Sequence, residues 1–341
     1  MEYESKRGYI SLKYYGRTVS IKIMPVGIHM GKLQEHLDLS ETQKMVIQLN
    51  EQFEGKTLLL GVDDMDIFKG KGLKLLGMEQ PQKDHPELRG KVMLVQIANP
   101  ARSHARDVLE VQAEAYETVE RINRQYRGPC YQPVVLIGRH VPLSERIAYY
   151  MVAECCVVTA VRDSMNLIPY EYIVCRQKCT YPDDRVNSAR RKSKLIVSKF
   201  IGCSPSLSGA VRVNPWNVDS LADALNMSIT IPEAEKQMRH EKHYRYVSTH
   251  DVVYWAQSFM GDLERTCRDH GRCRSWGLTF RVMALDPNFR KLSPEHIASA
   301  YRRTSCRAIV LDYNVTMMPR TSVDKTPSSA VLHTLDVLCC N

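Results

Sequence analysis

The feature that most limits how this chain can fold is a regular alternation, after residue 55, between short apolar runs and longer stretches of helical periodicity. The apolar runs, such as KTLLLGV and PVVLIG, contain almost no polar positions. Continuous apolarity predicts strands that are buried on both faces, as in a parallel sheet covered by helices. We predict six such strands, at residues 56–62, 91–98, 133–138, 155–161, 195–201 and 210–213.

Segments of helical period lie between most of these strands, so the predicted order is strand, helix, strand, helix. The predicted helices cover residues 71–79, 102–126, 143–154, 167–177 and 218–228. Two more, at 233–246 and 251–269, follow without strands and are expected to pack back over a neighbouring surface. The fold class is therefore α/β, with helices on both faces of a parallel sheet.

Composition indicates a globular protein. Hydrophobic residues make up 44% and charged residues 25% of the 341 positions, which argues against disorder, collagen-like repetition and coiled coil. No apolar run approaches the roughly 18 to 20 residues that span a bilayer, and the first thirty residues carry charges throughout. We therefore expect a cytoplasmic protein with no membrane partner.

The basic residues do not indicate a nucleic-acid partner. Lysine and arginine exceed aspartate and glutamate by 47 − 38 = 9, but they are scattered and are not interleaved with aromatic residues. An anionic small substrate would suit the same excess of charge.

The eleven cysteines give no sign of disulfides or of a metal site. Several lie inside apolar runs such as AECCVVTAV, where small buried side chains are expected. Cys267, His270 and Cys273 are spaced three residues apart, but they stand among arginines at the end of a predicted helix, and no fourth ligand has supporting spacing. We predict no metal and no cofactor.

The segment VRDSMNLIPYEYIVC, residues 161–175, runs from a predicted strand through a polar turn into a helix. At about 1.5 Å per helical residue, it separates the carboxylates of Asp163 and Glu171 by roughly 12 Å, comparable to the distance between the sugar and the ribose of a nucleotide sugar. The amides of residues 164–167, at the helix start, could bind a diphosphate between them. The same spacing fits an ordinary N-cap aspartate followed by a surface glutamate, and spacing alone leaves both readings open.

Four motifs, in order along the chain, resemble the trehalose-6-phosphate synthase family of retaining glycosyltransferases, which have two facing Rossmann-like domains (the GT-B fold). They are LLLGVDDMDIFKGKGLKLLGMEQ, QIANPARSH, the segment at 161–175, and SKFIGCSPSLSGAVRVNPWN. The resemblance covers most of residues 8–316 and is closest to plant members in which a synthase-like region precedes a phosphatase-like region. It implies transfer of glucose from UDP-glucose to glucose 6-phosphate with retention, without a metal or a covalent enzyme nucleophile.

The resemblance also implies roles for individual residues. Lys69 matches the family's diphosphate-contacting lysine, Asp163 the aspartate on the transferred glucose, and Glu171 the ribose ligand. The remaining matches are a donor-contacting turn, a position near the uracil and an arginine on the acceptor phosphate: Ser164, Met165, Asn166, Leu167, Val141 and Arg102.

One position departs from the family pattern in a way that bears on catalysis. Competent members carry arginine in GVDRLD, whereas this chain has GVDDMD, so Asp64 replaces a cation that clamps the donor. At a separation of about 5 Å and an effective dielectric near 20, one charge pair is worth roughly 3 kcal/mol, and reversing its sign changes the interaction by up to about 6. Screening could halve this value, yet each 1.4 kcal/mol lost from the transition state is about tenfold in rate. We predict weak or absent catalysis, unless Asp64 points away and another arginine replaces the charge.

A second departure lies in LDYNVTMMP, residues 311–319, which resembles the DYDGT opening of haloacid-dehalogenase (HAD)-type phosphatases. Asp312 matches the nucleophile, but Asn314 stands where a carboxylate acid and base is required. The further motifs of such a phosphatase would have to follow in the 28 residues after position 313. We predict a short phosphatase-like stub without activity.

These observations predict five regions along the chain. They are a remnant of the acceptor-side domain (1–55), a donor-binding Rossmann-like domain (56–230), helices that pack back (231–275), a linker (276–306) and the start of a truncated phosphatase-like region (307–341). Three functions stay open: a UDP-glucose-binding regulatory protein with little activity, an active synthase that also uses glucose 6-phosphate, and a module that binds other family members.

Overall fold

A computed structural model describes residues 2–6, 9–14, 17–100, 106–177, 192–272, 294–304 and 327–340, together with residues 311 and 317. The chain divides into two compact units, residues 1–269 and residues 270–341. The described part of the second unit includes helices α10 (Pro294–Arg303) and α11 (Ser329–Cys340). In the predicted phosphatase-like region at 307–341, Asp312 and Asn314 lie outside the described residues.

The first unit begins with a small antiparallel sheet and two helices. The sheet contains β1 (Glu2–Lys6), β2 (Tyr9–Tyr14) and β3 (Arg17–Ile21), and the helices are α1 (Met30–Leu37) and α2 (Ser40–Gln52). Leu33 and Leu37 of α1 and Val46 and Leu49 of α2 are buried in the same core as the strands that follow. The apolar core around the main sheet therefore includes side chains that precede residue 56.

The main element of the first unit is a six-stranded parallel sheet, which confirms the predicted α/β fold. Its strands are β4 (Thr57–Asp64), β5 (Val92–Asn99), β6 (Val134–Ile137), β7 (Cys155–Val158), β8 (Lys194–Ser198) and β9 (Val211–Val213). The helices between and after them are α3 (Lys71–Asp84), α4 (Arg106–Tyr126), α5 (Leu143–Val152), α6 (Ile168–Gln177), α7 (Val218–Thr230), α8 (Glu233–Thr249) and α9 (Val252–Arg272). Each predicted strand overlaps an observed one.

The sheet is buried on both faces, as continuous apolarity predicted. Along β4, Leu58 and Leu60 belong to one apolar cluster while Leu59 belongs to the other, because successive strand side chains point to opposite faces. One cluster includes residues of α1, α2, α5 and α6, and the second includes residues of α3, α4 and α7. No described helix is both long and apolar enough to cross a membrane.

The order of the strands locates a crevice. The sheet runs β6-β5-β4-β7-β8-β9, so the chain builds outward from β4 in one direction and then returns to build outward from β7 in the other. In open α/β sheets, ligands bind outside the carboxyl ends of the strands at this topological switch point. The fold therefore points to the ends of β4 and β7.

Two buried histidines on α8 make the stability of the fold dependent on pH. His240 is hydrogen-bonded to Ser193 Oγ (2.8 Å) and to Gln177 Oε1 (2.7 Å), and His243 Nε2 accepts the Gly209 N–H (3.1 Å). Burial lowers the pKa of both histidines to about 4. Their folded, neutral forms are therefore favoured across the weakly acidic range.

We expect the free energy of unfolding to fall as the pH decreases from about 6.5 to about 4. The unfolded chain takes up protons near the ordinary histidine pKa of about 6.5, whereas the folded chain does so only near 4, so the unfolded state binds more protons in that window. Urea unfolding at a series of pH values measures the slope. His240→Gln should flatten it and the exposed His140→Gln should not; an equally steep slope for His240→Gln would refute this account.

Candidate active site

The turn after β4 fixes the position of Lys69. The carboxylate of Asp66 accepts a hydrogen bond from the Phe68 N–H (2.8 Å), which closes the short helical turn Ile67–Lys69. Gly70 follows with φ +63°, and a Cβ there would collide with the carbonyl oxygen of Thr159 just after β7. The glycine therefore lets the turn lie directly against the end of the neighbouring strand.

Lys69 and Asp163 form an ion pair at the switch point. Lys69 Nζ lies 2.7 Å from Asp163 Oδ2, and the two side chains are only 21% and 12% exposed. Burial acts to lower the pKa of Lys69, but the hydrogen bond and attraction from Asp163 outweigh it, so the pKa is raised. The lysine is thus firmly protonated, as a partner for phosphate oxygens must be.

The turn between β7 and α6 differs in detail from the prediction. Helix α6 begins at Ile168, so residues 163–167 precede the helix and the straight-helix estimate of 12 Å does not apply. The cap is Asn166, not Asp163: Asn166 Oδ1 accepts the Ile168 N–H (3.0 Å), while its Nδ2 donates to Asp163 Oδ2 (3.2 Å). Asp163 is free of the capping role and is directed towards Lys69.

Glu171 lies on the first turn of α6 and has two partners that the sequence analysis did not identify. The Tyr150 hydroxyl donates to Glu171 Oε2 (2.9 Å), and Arg146 Nη2 lies 3.3 Å from the same oxygen. Tyr150 and Arg146 are four residues apart on α5 and so share a face. Their i, i+4 spacing within the apolar stretch LSERIAYYMV was the available signal.

Arg146 also brings positive charge towards Asp64. Its Nε is buried and has no hydrogen-bonding partner among the described residues. Burial opposes its charge, but Tyr150, Glu171 and Asp64 favour it, so the pKa of Arg146 is raised. Arg146 is therefore the candidate for the arginine that could compensate for Asp64, the alternative that the sequence analysis left open.

Asp64 is the last residue of β4 and faces the same crevice edge. Asp64 Oδ1 accepts a hydrogen bond from Asn99 Nδ2 (3.1 Å), and its carbonyl oxygen accepts one from Lys71 Nζ (2.6 Å). Lys71 is 2% exposed, and burial lowers its pKa to about 8. Lys71 therefore bonds to backbone oxygens and does not replace the arginine that the family pattern carries at position 64.

The other predicted site residues differ in how far they are exposed. Ser164 is exposed and Met165 and Leu167 are half-buried in the turn before α6. Val141 is 2% exposed and packs in the core, so only its backbone could face a ligand. Arg102 lies outside the described residues, as do the side chains of Cys267, His270 and Cys273.

The chemistry of these side chains suits a ligand that carries phosphate and hydroxyl groups. A protonated lysine meets a carboxylate at one end of a short turn, and a second carboxylate, Glu171, stands one helical turn into α6. Carboxylates accept hydrogen bonds from sugar hydroxyls, and a lysine beside turn amides suits phosphate oxygens. A parallel sheet covered by helices, with a crevice at its switch point, is a Rossmann-like arrangement.

Comparison with known families gives the class a name. Residues 1–265 match Glycosyltransferase family 20, and the chain belongs to that family. It is 62% identical over 349 aligned positions to alpha,alpha-trehalose-phosphate synthase [UDP-forming] 6 of Arabidopsis thaliana, covering 99% of this chain and 41% of that protein. It is 37% identical to the 56 kDa subunit of the Saccharomyces cerevisiae synthase, covering 75% of this chain and 49% of that protein.

Solved structures agree with this assignment. A UDP-forming alpha,alpha-trehalose-phosphate synthase from Burkholderia xenovorans, in complex with glucose-6-phosphate, has a TM-score of 0.69 at 26% identity and covers 77% of this chain and 55% of that one. The N-terminal domain of a Candida albicans trehalose-6-phosphate phosphatase has a TM-score of 0.68 at 30% identity, over 77% of this chain and 53% of that one. The predicted family and GT-B fold relationship are confirmed, and the chain spans about half the length of these relatives.

Proposed function

We propose that this chain binds UDP-glucose at the carboxyl ends of β4 and β7, and that it transfers glucose weakly or not at all and serves as a regulatory protein of trehalose metabolism. The observation that carries the proposal is the Lys69–Asp163 pair at 2.7 Å, at the switch point and beside an acidic residue 64. Membership of a family with UDP-forming members supports the choice of donor.

Each site residue has a defined task in this proposal. When the donor binds, the Lys69 ammonium group turns partly away from Asp163 and neutralises charge on the diphosphate. The Asp163 carboxylate then accepts hydrogen bonds from the glucose hydroxyls. The Glu171 carboxylate, oriented by Tyr150 and Arg146, accepts hydrogen bonds from the ribose hydroxyls. UDP-glucose is the donor substrate itself, and the proposal includes no separate cofactor or metal.

The weak catalysis follows from Asp64. As the glycosidic bond breaks, negative charge develops on the leaving diphosphate, and catalysis depends on groups that stabilise this charge. The carboxylate of Asp64, at the end of β4, opposes this stabilisation, whereas Lys69 favours it. Ground-state binding of the donor suffers less, because a bound donor can retain counterions.

An active synthase is the second candidate, and the position of Arg146 favours it. If this guanidinium compensates for Asp64, the chain should release UDP from UDP-glucose in the presence of glucose 6-phosphate. Calorimetric titration with UDP-glucose combined with a UDP-release assay separates the candidates. Binding without release supports our proposal, binding with rapid release supports the active synthase, and no binding contradicts both and leaves a module that binds other family members.

Replacing Lys69 with alanine should weaken UDP-glucose binding by about tenfold to a hundredfold, since a hydrogen bond to a charged group contributes about 1.5–3 kcal/mol. The same titration measures this loss. Lys44→Ala, an exposed lysine on α2, is the matched control and should bind the donor as the unaltered chain does. Equal affinities for the Lys69 and Lys44 variants would mean that the diphosphate is bound elsewhere.

A further inference from the structure

Lys71, the first residue of α3, is a buried cation that has no part in the proposed function. It is 2% exposed, although lysine is among the residue types that are least often fully buried. It also lies at a helix N-terminus, where the partial positive charge of the helix dipole disfavours a cation. Positions at which a sequence breaks such local rules are expected to be functional or strained sites.

The ammonium group of Lys71 bonds to the turn that presents Lys69. Lys71 Nζ donates hydrogen bonds to two backbone carbonyl oxygens, that of Asp64 (2.6 Å) at the end of β4 and that of Asp66 (3.1 Å) in the turn. The carboxylate of Asp66 in turn accepts the Phe68 N–H. One side chain therefore ties the end of β4 to the turn that carries Lys69.

The same turn is also connected to the chain that follows β7. The Phe68 carbonyl oxygen accepts the Val161 N–H (2.8 Å), and Asp163 follows two residues later. This bond holds the turn on the β7 side, and the bonds of Lys71 hold it on the β4 side. Loss of the Lys71 bonds would leave the turn held less firmly, so the Lys69 ammonium group could move relative to Asp163.

Charged groups near Lys71 come from β4, the following turn, α3 and α4. Burial lowers the pKa of Lys71 to about 8, and the Lys74 ammonium group acts in the same direction. On α4, Glu114 Oε1 would lie 3.8 Å from a Cβ added at Gly72, in the first turn of α3. Lys71 therefore loses its proton in a pH range in which Lys69, whose pKa is raised, stays charged. The carboxylates that favour the charge of Lys71 are those of Asp63, Asp66 and Asp64.

We infer that Lys71 is a positioning residue of the donor site: its charged side chain fixes the turn that presents Lys69 to the diphosphate, and it holds that turn less firmly once the ammonium group has lost its proton. The inference rests on the proposed function, which assigns the diphosphate to Lys69, and adds a pH-dependent control of the same site. A neutral amine donates weaker hydrogen bonds to carbonyl oxygens than an ammonium group does. Lys71 thus acts through the turn and not by contact with the donor.

Calorimetric titration with UDP-glucose at a series of pH values from about 7 to about 9 tests this control. For the unaltered chain we expect the affinity to fall by up to about tenfold, since one proton that titrates near pH 8 permits no larger change over this range. Lys71→Met keeps a side chain of similar length without the charge. Its affinity should be about threefold to tenfold weaker at about pH 7 and should not change with pH, so the two proteins should bind alike at about pH 9.

Lys83→Met, at an exposed position of the same helix, is the matched control. It should reproduce both the affinity and the pH profile of the unaltered chain. A purely structural role for Lys71 would change the melting temperature without changing the pH profile of donor affinity, so thermal melting of each variant accompanies the titrations. Equal affinities of Lys71→Met and the unaltered chain at about pH 7, or pH profiles of the same slope, would overturn the inference.

Amide hydrogen exchange distinguishes failure of this inference from failure of the proposed function, because it needs no ligand. In Lys71→Met the amides of Phe68 and Val161 should exchange at least about threefold faster than in the unaltered chain, whereas the amides of β8 should exchange alike in both. Faster exchange in a chain that binds no UDP-glucose would contradict the proposed function and leave the effect of Lys71 on the turn in place. Unchanged exchange of both amides would overturn the inference whether or not the donor binds.

Discussion

Asp64→Arg should raise the rate of UDP release from UDP-glucose by about a hundredfold when glucose 6-phosphate is supplied. The full reversal of charge is worth up to about 6 kcal/mol at 5 Å and a dielectric near 20, and solvent screening reduces this to about 3. Three kcal/mol realised in the transition state corresponds to roughly a hundredfold in rate.

The neutral variant Asp64→Asn is the control for the charge argument. It removes the repulsion without adding an attraction, so we expect about half the free-energy effect and a gain of about tenfold. Asn99 loses its charged partner in Asp64→Arg, and thermal melting checks that the fold is preserved. If the arginine and asparagine variants are both as slow as the unaltered protein, the charge of residue 64 does not limit the reaction.

Lys74→Met should lower the free energy of unfolding by about 3–5 kcal/mol, because it leaves the charge of Asp63 buried without its ion-pair partner. Lys74 Nζ lies 2.5 Å from Asp63 Oδ2 and 3.0 Å from Gln96 Oε1, and both charged side chains are 1% exposed. Gly61 makes room for this group, since a Cβ there would collide with the Gln96 and Lys74 side chains.

Chemical denaturation measures the effect of Lys74→Met. Lys83→Met, at an exposed position of the same helix, should change stability by no more than about 0.5 kcal/mol. Adding Asp63→Asn to Lys74→Met removes the buried charge and should restore part of the loss. A Lys74→Met variant as stable as the Lys83→Met variant would show that the ion pair is not needed in the folded state.

Strand and helix positions could be read from the sequence because burial on both faces imposes a strong constraint. The runs at 56–62 and 91–98 contain few polar residues, and they form β4 and β5, which are interior strands of the sheet. Helix ends were harder to predict. The side chain of Asn166 caps the first turn of α6, and the helix begins at residue 168, one residue later than predicted.

Motifs in the sequence could name candidate residues, but the contacts of those residues with other elements could not be predicted from it. The family motifs identified Lys69, Asp163 and Glu171, and the fold places Lys69 and Asp163 in contact although they are 94 residues apart. Arg146 was missed because an arginine within a helix is usually a solvated surface residue. Lys74 was missed for the same reason, since the sequence does not reveal that Asp63 and Gln96 meet it from adjacent strands.

The most direct test of the central claim is a crystal of this protein soaked with UDP-glucose. We predict density for the diphosphate at Lys69 and the amides of residues 164–167, with the glucose at Asp163 and the ribose at Glu171. A donor bound elsewhere, or an empty crevice at the ends of β4 and β7 under conditions where calorimetry shows saturation, would contradict the account.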